Sequence, residues 1–158
     1  MTDEKTTGTL TSILKHTAVE RVDDFFREHQ NDMAPESHPF AAYMREQLRL
    51  KNLAQTALFV RAGVPERYGY KLLSEEKHTR RRDVILRLCF AAQFSFEQTQ
   101  RALRLYEMPP LYPRQRRDAL LISLLAGRIF SLSEVDERLR AHGFAPLEVC
   151  GSTDEIAD

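Results

Sequence analysis

The stretch NLAQTALFVRAGVPERYGYKLLSEE, Asn52–Glu76, decides the fold. A short apolar-periodic segment, Gln55–Ala62, meets Gly63-Val64-Pro65, and a second short amphipathic segment follows. Gly63 supplies a helix C-cap, because glycine enters the left-handed conformation that ends helices without a Cβ clash. Pro65 suits the start of the next helix, where its missing N–H has no partner in any case. Two short helices across a tight turn have the punctuation of a helix-turn-helix, which offers one helix to a DNA major groove while the other braces it. A basic run, Lys77-His78-Thr79-Arg80-Arg81-Arg82, comes immediately after.

The packing inside this motif is unusual in its size order. Such motifs usually carry a small residue four positions before the turn glycine and a β-branched residue six positions after it. Here those positions hold Phe59 and Gly69. The summed volume still fills a helix crossing, and cores tolerate exchanges that conserve volume. A glycine inside a helix costs roughly 1 kcal/mol against alanine, so Gly69 needs a packing reason. The Phe59 ring lying directly over it supplies one. Val64, Leu72, Val84, Ile85 and Leu88 complete the expected core, and of Tyr68 and Tyr70 at least one must be exposed.

Outward from the motif, every segment has helical periodicity. Apolar residues from Leu10 to Phe26 predict one or two helices over roughly 9–30. Asn31–Pro39, polar with two prolines, is a linker. Ala41–Lys51, Arg82–Gln93 and Ser95–Tyr106 are further helices, with Ser95 an N-cap whose Glu97 and Gln98 only approximate a capping box. RRRDVILRLCFAAQFSFEQTQRALRLYEMPPL (Arg80–Leu111) is echoed by RQRRDALLISLLAGRIFSLSEVDERLRAHGFAPL (Arg114–Leu147). Asp83 aligns with Asp118. After a one-residue slip Ser95, Leu103, Arg104, Pro110 and Leu111 align with Ser131, Leu139, Arg140, Pro146 and Leu147. Each unit is a helical hairpin that cannot bury its apolar face alone, so two should pack together. No strand pattern competes, and the expected fold is all-α.

At 158 residues the chain can bury a core without metal or disulfide staples. It has no run of about 18 apolar residues that would span a membrane. The start, MTDEKTTGTL, is wrong for a secretory signal, so the expected compartment is the cytoplasm. Cys89, in ILRLCFAA, is expected in the core, and Cys89 with Cys150 is weak evidence for a bridge. The five histidines have no ligand spacing, and no glycine-rich loop cradles phosphate, so neither a cofactor nor an enzyme is expected.

The formal net charge is zero, but its distribution is uneven. Residues 41–82 carry 10 basic and 4 acidic side chains, a net of +6, while residues 1–40 carry 4 and 8. An island of this kind is the electrostatic footprint of a phosphate-binding surface. The exposed face of the second motif helix would present Glu66, Arg67, Tyr70, Lys71 and Ser74, with Gln55 approaching the same groove. Arginine and lysine suit guanine O6/N7 and glutamine suits adenine N6/N7. Lys77, Arg80, Arg81 and Arg82 would hold the backbone and set affinity more than sequence.

With Gly63-Val64, the YGYKLLS run (Tyr68–Ser74), Arg82-Asp83 and LYPRQRRDALLI (Leu111–Ile122), the chain resembles the Cro/cI-type (XRE-like) helix-turn-helix family of bacteria and their phages. It looks most like a bacterial subgroup with a YGY recognition helix and an LYPRxRRDA hairpin. The resemblance covers residues 10–147. It implies a lambda-repressor-like bundle and a non-enzymatic transcriptional regulator on double-stranded DNA, often a homodimer. By that resemblance Gln55, Glu66, Arg67 and Lys71 contact bases and Ser74 a phosphate. The implied organisation is an N-terminal helical arm and linker (1–38), a helix-turn-helix domain (39–108), a C-terminal hairpin (109–150) and a disordered tail (151–158). Two departures stand out. Ala54 replaces the usual polar N-cap, and Glu75-Glu76 occupies a loop that is usually small or basic. Glu66, Glu75, Glu76 and the neutral net charge motivate a rival expectation, a helical adaptor with a protein partner and a degenerate DNA site.

Overall fold

The computed structural model describes residues 5–33 and 38–149. The expected tail (151–158), Cys150 and the middle of the expected linker (34–37) lie outside the described residues. Within them the fold is all-α, with no strand. No helix there is long and apolar enough to cross a membrane. The chain divides into two compact units, 1–37 and 38–158.

In the first unit, helix α1 (Thr7–Lys15) starts where the Thr6 hydroxyl accepts the Thr9 N–H at 3.2 Å. Helix α2 (Val22–Glu28) follows a 3-10 turn. The helical pattern read over 9–30 is thus split, with the break at His16–Ala18. Phe25 and His29 are its buried side chains, their rings 4.6 Å apart, and Lys5 Nζ lies 3.1 Å from His29 Nδ1.

The second unit contains helices α3 (Pro39–Leu50), α4 (Gln55–Ala62), α5 (Glu66–Leu73), α6 (Arg82–Ala91), α7 (Phe96–Leu105), α8 (Arg116–Ala126) and α9 (Leu132–Ala141). Helix α4 packs on α5 and α6, and α3 packs on α5 and α7. Phe40, Met44, Leu58, Phe59, Leu72, Ile85, Leu88, Phe90 and Phe94 fill the space between them. The Phe59–Gly69 crossing is as the sequence predicts. A Cβ placed on Gly69 would stand 2.5–2.7 Å from three carbons of the Phe59 ring. Glycine is therefore required there for helix approach. Tyr68 is buried, while Tyr70 stays 41% exposed and meets the Phe59 ring edge-on at 5.0 Å.

Each helix from α3 to α9 ends on a left-handed residue: Asn52, Gly63, Glu75, Gln93, Glu107, Arg128 and Gly143. At six of these ends the next N–H reaches back five residues, as from Val64 to Phe59 and from Phe94 to Cys89. Leu53, Val64, Phe94, Met108, Ile129 and Phe144, the residues that donate those bonds, also pack on the core. A backbone bond and an apolar contact together stop each of these six helices. The Ser95 cap is also better formed than its sequence suggests. Its hydroxyl accepts the Gln98 N–H and the Gln98 side chain accepts the Ser95 N–H, a complete capping box.

The hairpins α6–α7 and α8–α9 meet across a seam with two-fold character, α6 against α9 and α7 against α8. Arg82 donates two hydrogen bonds to Asp118, at 2.5 and 3.1 Å, and a longer one to the Pro110 carbonyl. Arg117, its counterpart, donates two to Asp83, at 2.9 and 3.0 Å, and reaches the Ala145 and Pro146 carbonyls. Asp118 also accepts the Tyr112 N–H, and Asp83 the Glu148 N–H. Gln100 accepts the Leu111 N–H, and Asp136 the Leu147 N–H. The aligned Asp83 and Asp118 are thus the centre of an exchange in which each hairpin's arginine grips the other's aspartate. The Asp83 bonds hold the Arg117 guanidinium in its charged form more firmly than usual, against the opposing effect of burial.

Candidate nucleic-acid interface

Helix α5 is amphipathic in the simplest sense. Tyr68, Gly69, Leu72 and Leu73 are buried, whereas Glu66, Arg67, Tyr70 and Ser74 are exposed and Lys71 is half-buried. Positions 67, 70, 71 and 74 follow three-and-four spacing, so they form one outward stripe. The stripe is held from behind by the Phe59–Gly69 crossing and edge-on by the ring contact that orients Tyr70. Gly63 (φ 67°) sets the angle between α4 and α5.

Gln55, Tyr70, Lys71 and Ser74 line one open cleft of about 410 Å³, shared with His38, Ala41, Arg45, Leu73 and Glu76. Gln55 enters it from the first residue of α4. Ala54 gives that helix no side-chain cap, so its first-turn N–H groups keep the anion preference of an uncovered helix start. The structure therefore brings together Gln55, Tyr70, Lys71 and Ser74 among the residues that the sequence singled out. Arg67 and Glu66 lie exposed one turn earlier on α5, and Arg80 is exposed in the connection to α6, with Lys77 half-buried beside it.

Arg81 and Arg82 each meet a carboxylate of the second hairpin. Arg82 is committed to Asp118, whose side chain is almost wholly buried, and to the Pro110 carbonyl. Arg81 pairs with Glu148 at 2.6 Å. Of the four cations expected on the DNA backbone, Arg82 thus ties the two hairpins together through a buried carboxylate, and Arg81 shares its charge with an exposed one. A third arginine, Arg87, was not expected to have such a role. Buried, it donates to the Ala62 carbonyl at 2.7 Å and to the Leu147 carbonyl at 3.1 Å, with Asp136 at 3.8 Å. It thereby ties the end of α4 to the end of the second hairpin.

Comparison with known protein families, characterised proteins and solved structures finds no match to this chain.

Glu75 is also not where its sequence position suggests. It takes a left-handed turn (φ 61°), and its carboxylate accepts the Ala41 N–H in the first turn of α3 at 3.2 Å. His38 and His78 flank it at 3.6 and 3.8 Å, and its side chain is only 9% exposed. A negative charge at a helix N-terminus is favourable, so this acid staples α3 to the loop after α5 and presents little charge outward. Glu76 does remain exposed on the cleft. Elsewhere, Cys89 is wholly buried, and burial pushes its thiol up to about 12 against a smaller lowering by the Thr99 hydrogen bond. It is a core residue without nucleophilic character. Among the described residues no group of three or more His, Cys, Asp or Glu is placed to hold a metal ion.

Proposed function

We propose that the chain is a DNA-binding transcriptional regulator of the Cro/cI-type helix-turn-helix kind, with α4 and α5 as the motif and α5 docked in the major groove. The observation that carries this reading is the outward stripe of α5, on which Tyr70, Lys71 and Ser74 share a cleft surface with Gln55 at the open start of α4 and Arg67 lies exposed one turn earlier. Arg67 and Lys71 have the chemistry for guanine and Gln55 that for adenine. Arg80 and Lys77 remain for phosphate, with the α4 N-terminus. The two hairpins act as a buttress that fixes the end of α4 through Arg87. The withdrawal of Glu75 into α3 removes one of the two carboxylates that would repel the DNA backbone.

Fluorescence anisotropy against a pool of genomic fragments, repeated from 50 to 300 mM salt, tests this. Lys77 and Arg80 on phosphate predict a log–log salt slope of about −2 per chain, steeper by about 0.9 for each further phosphate contact, with one family of sequences enriched. Absence of salt-sensitive binding ends this reading. One observation favours a second reading, a helical adaptor for a protein partner. Arg81 and Arg82, half of the four cations expected on the DNA backbone, are paired with carboxylates of the second hairpin. Pulldown of one stoichiometric partner by a chain that binds no DNA would select it.

A further inference from the structure

The geometry points to Arg45 of α3 as a DNA-backbone contact, so that the interface extends beyond α4 and α5 onto the first helix of the second unit. This inference rests on the DNA-binding reading and names a residue outside the motif. Arg45 lines the same cleft as Gln55, Tyr70, Lys71 and Ser74. It is exposed, and among the described residues it has no ion pair, hydrogen bond or ring contact from its guanidinium. That distinguishes it from Arg49 one turn on, which is engaged by Glu46 at 2.7 Å, and from Arg81 and Arg82.

The helix that carries Arg45 is fixed relative to α5 from two sides. Phe40, Met44 and Leu48 bury its inner face, and Glu75 holds its first turn at the Ala41 N–H. His38, Ala41 and Arg45, at three-and-four spacing, form the edge of α3 that runs along the cleft. An arginine on a rigid helix, always charged and rich in donors, suits a phosphate oxygen. The one acid that lines the cleft, Glu76, shares it with Arg45 and Lys71, so the surface keeps an excess of positive charge. With Arg82 committed to the buried Asp118 and Arg81 shared with Glu148, the positive island read at 41–82 is carried outward by α3 and α5 as well as by Arg80.

The test is a salt titration of the full chain on its best-bound fragment and on a scrambled duplex. Variants are Arg45→Gln, Arg45→Lys and the charge control Arg140→Gln, an exposed arginine on α9. Loss of one phosphate contact lowers the slope by about 0.9 and weakens binding about fivefold at 0.15 M salt. Arg45→Gln should show both effects equally on the two duplexes, Arg45→Lys should keep the wild-type slope, and Arg140→Gln should bind as wild type. A wild-type slope for Arg45→Gln, or a loss no greater than that of Arg140→Gln, overturns the assignment while leaving the DNA reading intact. Failure of the wild-type chain to bind either duplex overturns both. Circular dichroism of each variant, expected to be unchanged because Arg45 is at the surface, excludes misfolding as the cause.

Discussion

Replacing Gly69 with valine tests the crossing of α4 and α5 at the point where the two helices come closest to the Phe59 ring. The Cβ alone would lie 2.5 Å from a Phe59 ring carbon, where ordinary contact begins at 3.4 Å, so the ring must retreat by about 0.9 Å. It has nowhere to go. Phe59 is 1% exposed, and Tyr70 stands edge-on against it at 5.0 Å. Overpacking of this kind costs about 1–3 kcal/mol, and valine regains less than about 0.5 kcal/mol in helix propensity over glycine. A net loss of about 2 kcal/mol is expected. Phe59→Ala by itself should cost about 3–5 kcal/mol through the cavity it leaves. With the ring gone, the valine has room and fills part of that cavity, so Gly69→Val becomes neutral or stabilising in the Phe59→Ala background. Urea denaturation followed by far-UV circular dichroism of all four proteins should give a coupling of about 2–3 kcal/mol. Additivity within about 0.5 kcal/mol, the behaviour of independent sites, would refute the claim that this ring is the reason for glycine at 69.

Three other outcomes are expected. Arg82→Ala leaves Asp118 buried with one remaining donor, Tyr112, and should destabilise by about 3 kcal/mol, while DNA affinity of the folded protein changes less than twofold; a large affinity loss at unchanged stability would return Arg82 to the interface. Gln93→Gly and Arg128→Gly relieve left-handed conformations at φ 57° and should each stabilise by about 0.5–1 kcal/mol, measured as a rise in urea midpoint. In a Cys150→Ser background, Cys89 should resist thiol reagents until the chain unfolds. Because its thiol is raised to about 12 from 9.0, its contribution to stability is complete below pH 9 and falls between pH 9 and 12, as the unfolded thiol ionises and the folded one does not. Cys89→Ala should lack that part of the alkaline loss, seen by comparing urea midpoints at pH 8 and pH 10.5.

The sequence was most legible where structure is set by neighbours. The Gly63-Val64-Pro65 turn, the span of α4 and the Phe59–Gly69 contact all follow from residues at most ten apart. The left-handed ends at Gln93 and Glu107 had no glycine to announce them, and at Arg128 the glycine stands one residue too early, Gly127 keeping φ −80°. There the burial of the next apolar residue, Phe94, Met108 or Ile129, outweighs the local preference. The roles of the arginines were least legible. Arg82 finds its partner 36 residues away and Arg81 67 away, and a basic run looks the same whether its charges face water or carboxylates. One signal was available. The dipeptide Arg82-Asp83 recurs as Arg117-Asp118 in the second hairpin, and an Arg-Asp pair repeated in two units that must pack is the pattern of an exchange. Likewise Arg45 could have been placed beside Lys71 only by knowing which edge of α3 meets α5.

The exchange across the seam has a consequence for the chain's modularity. Each hairpin offers an arginine and an aspartate across the seam and receives the same pair in return, while each arginine also holds a carbonyl near the end of its own hairpin. Such a surface is its own complement, the defining property of a two-fold homodimer contact, although here it lies within one chain. A single hairpin of this kind already encodes the rule for pairing with a copy of itself. Joining two of them in tandem turns a concentration-dependent association into a permanent one. It also frees one copy to diverge at positions such as Arg87, whose bond to α4 has no counterpart at the aligned Ile122.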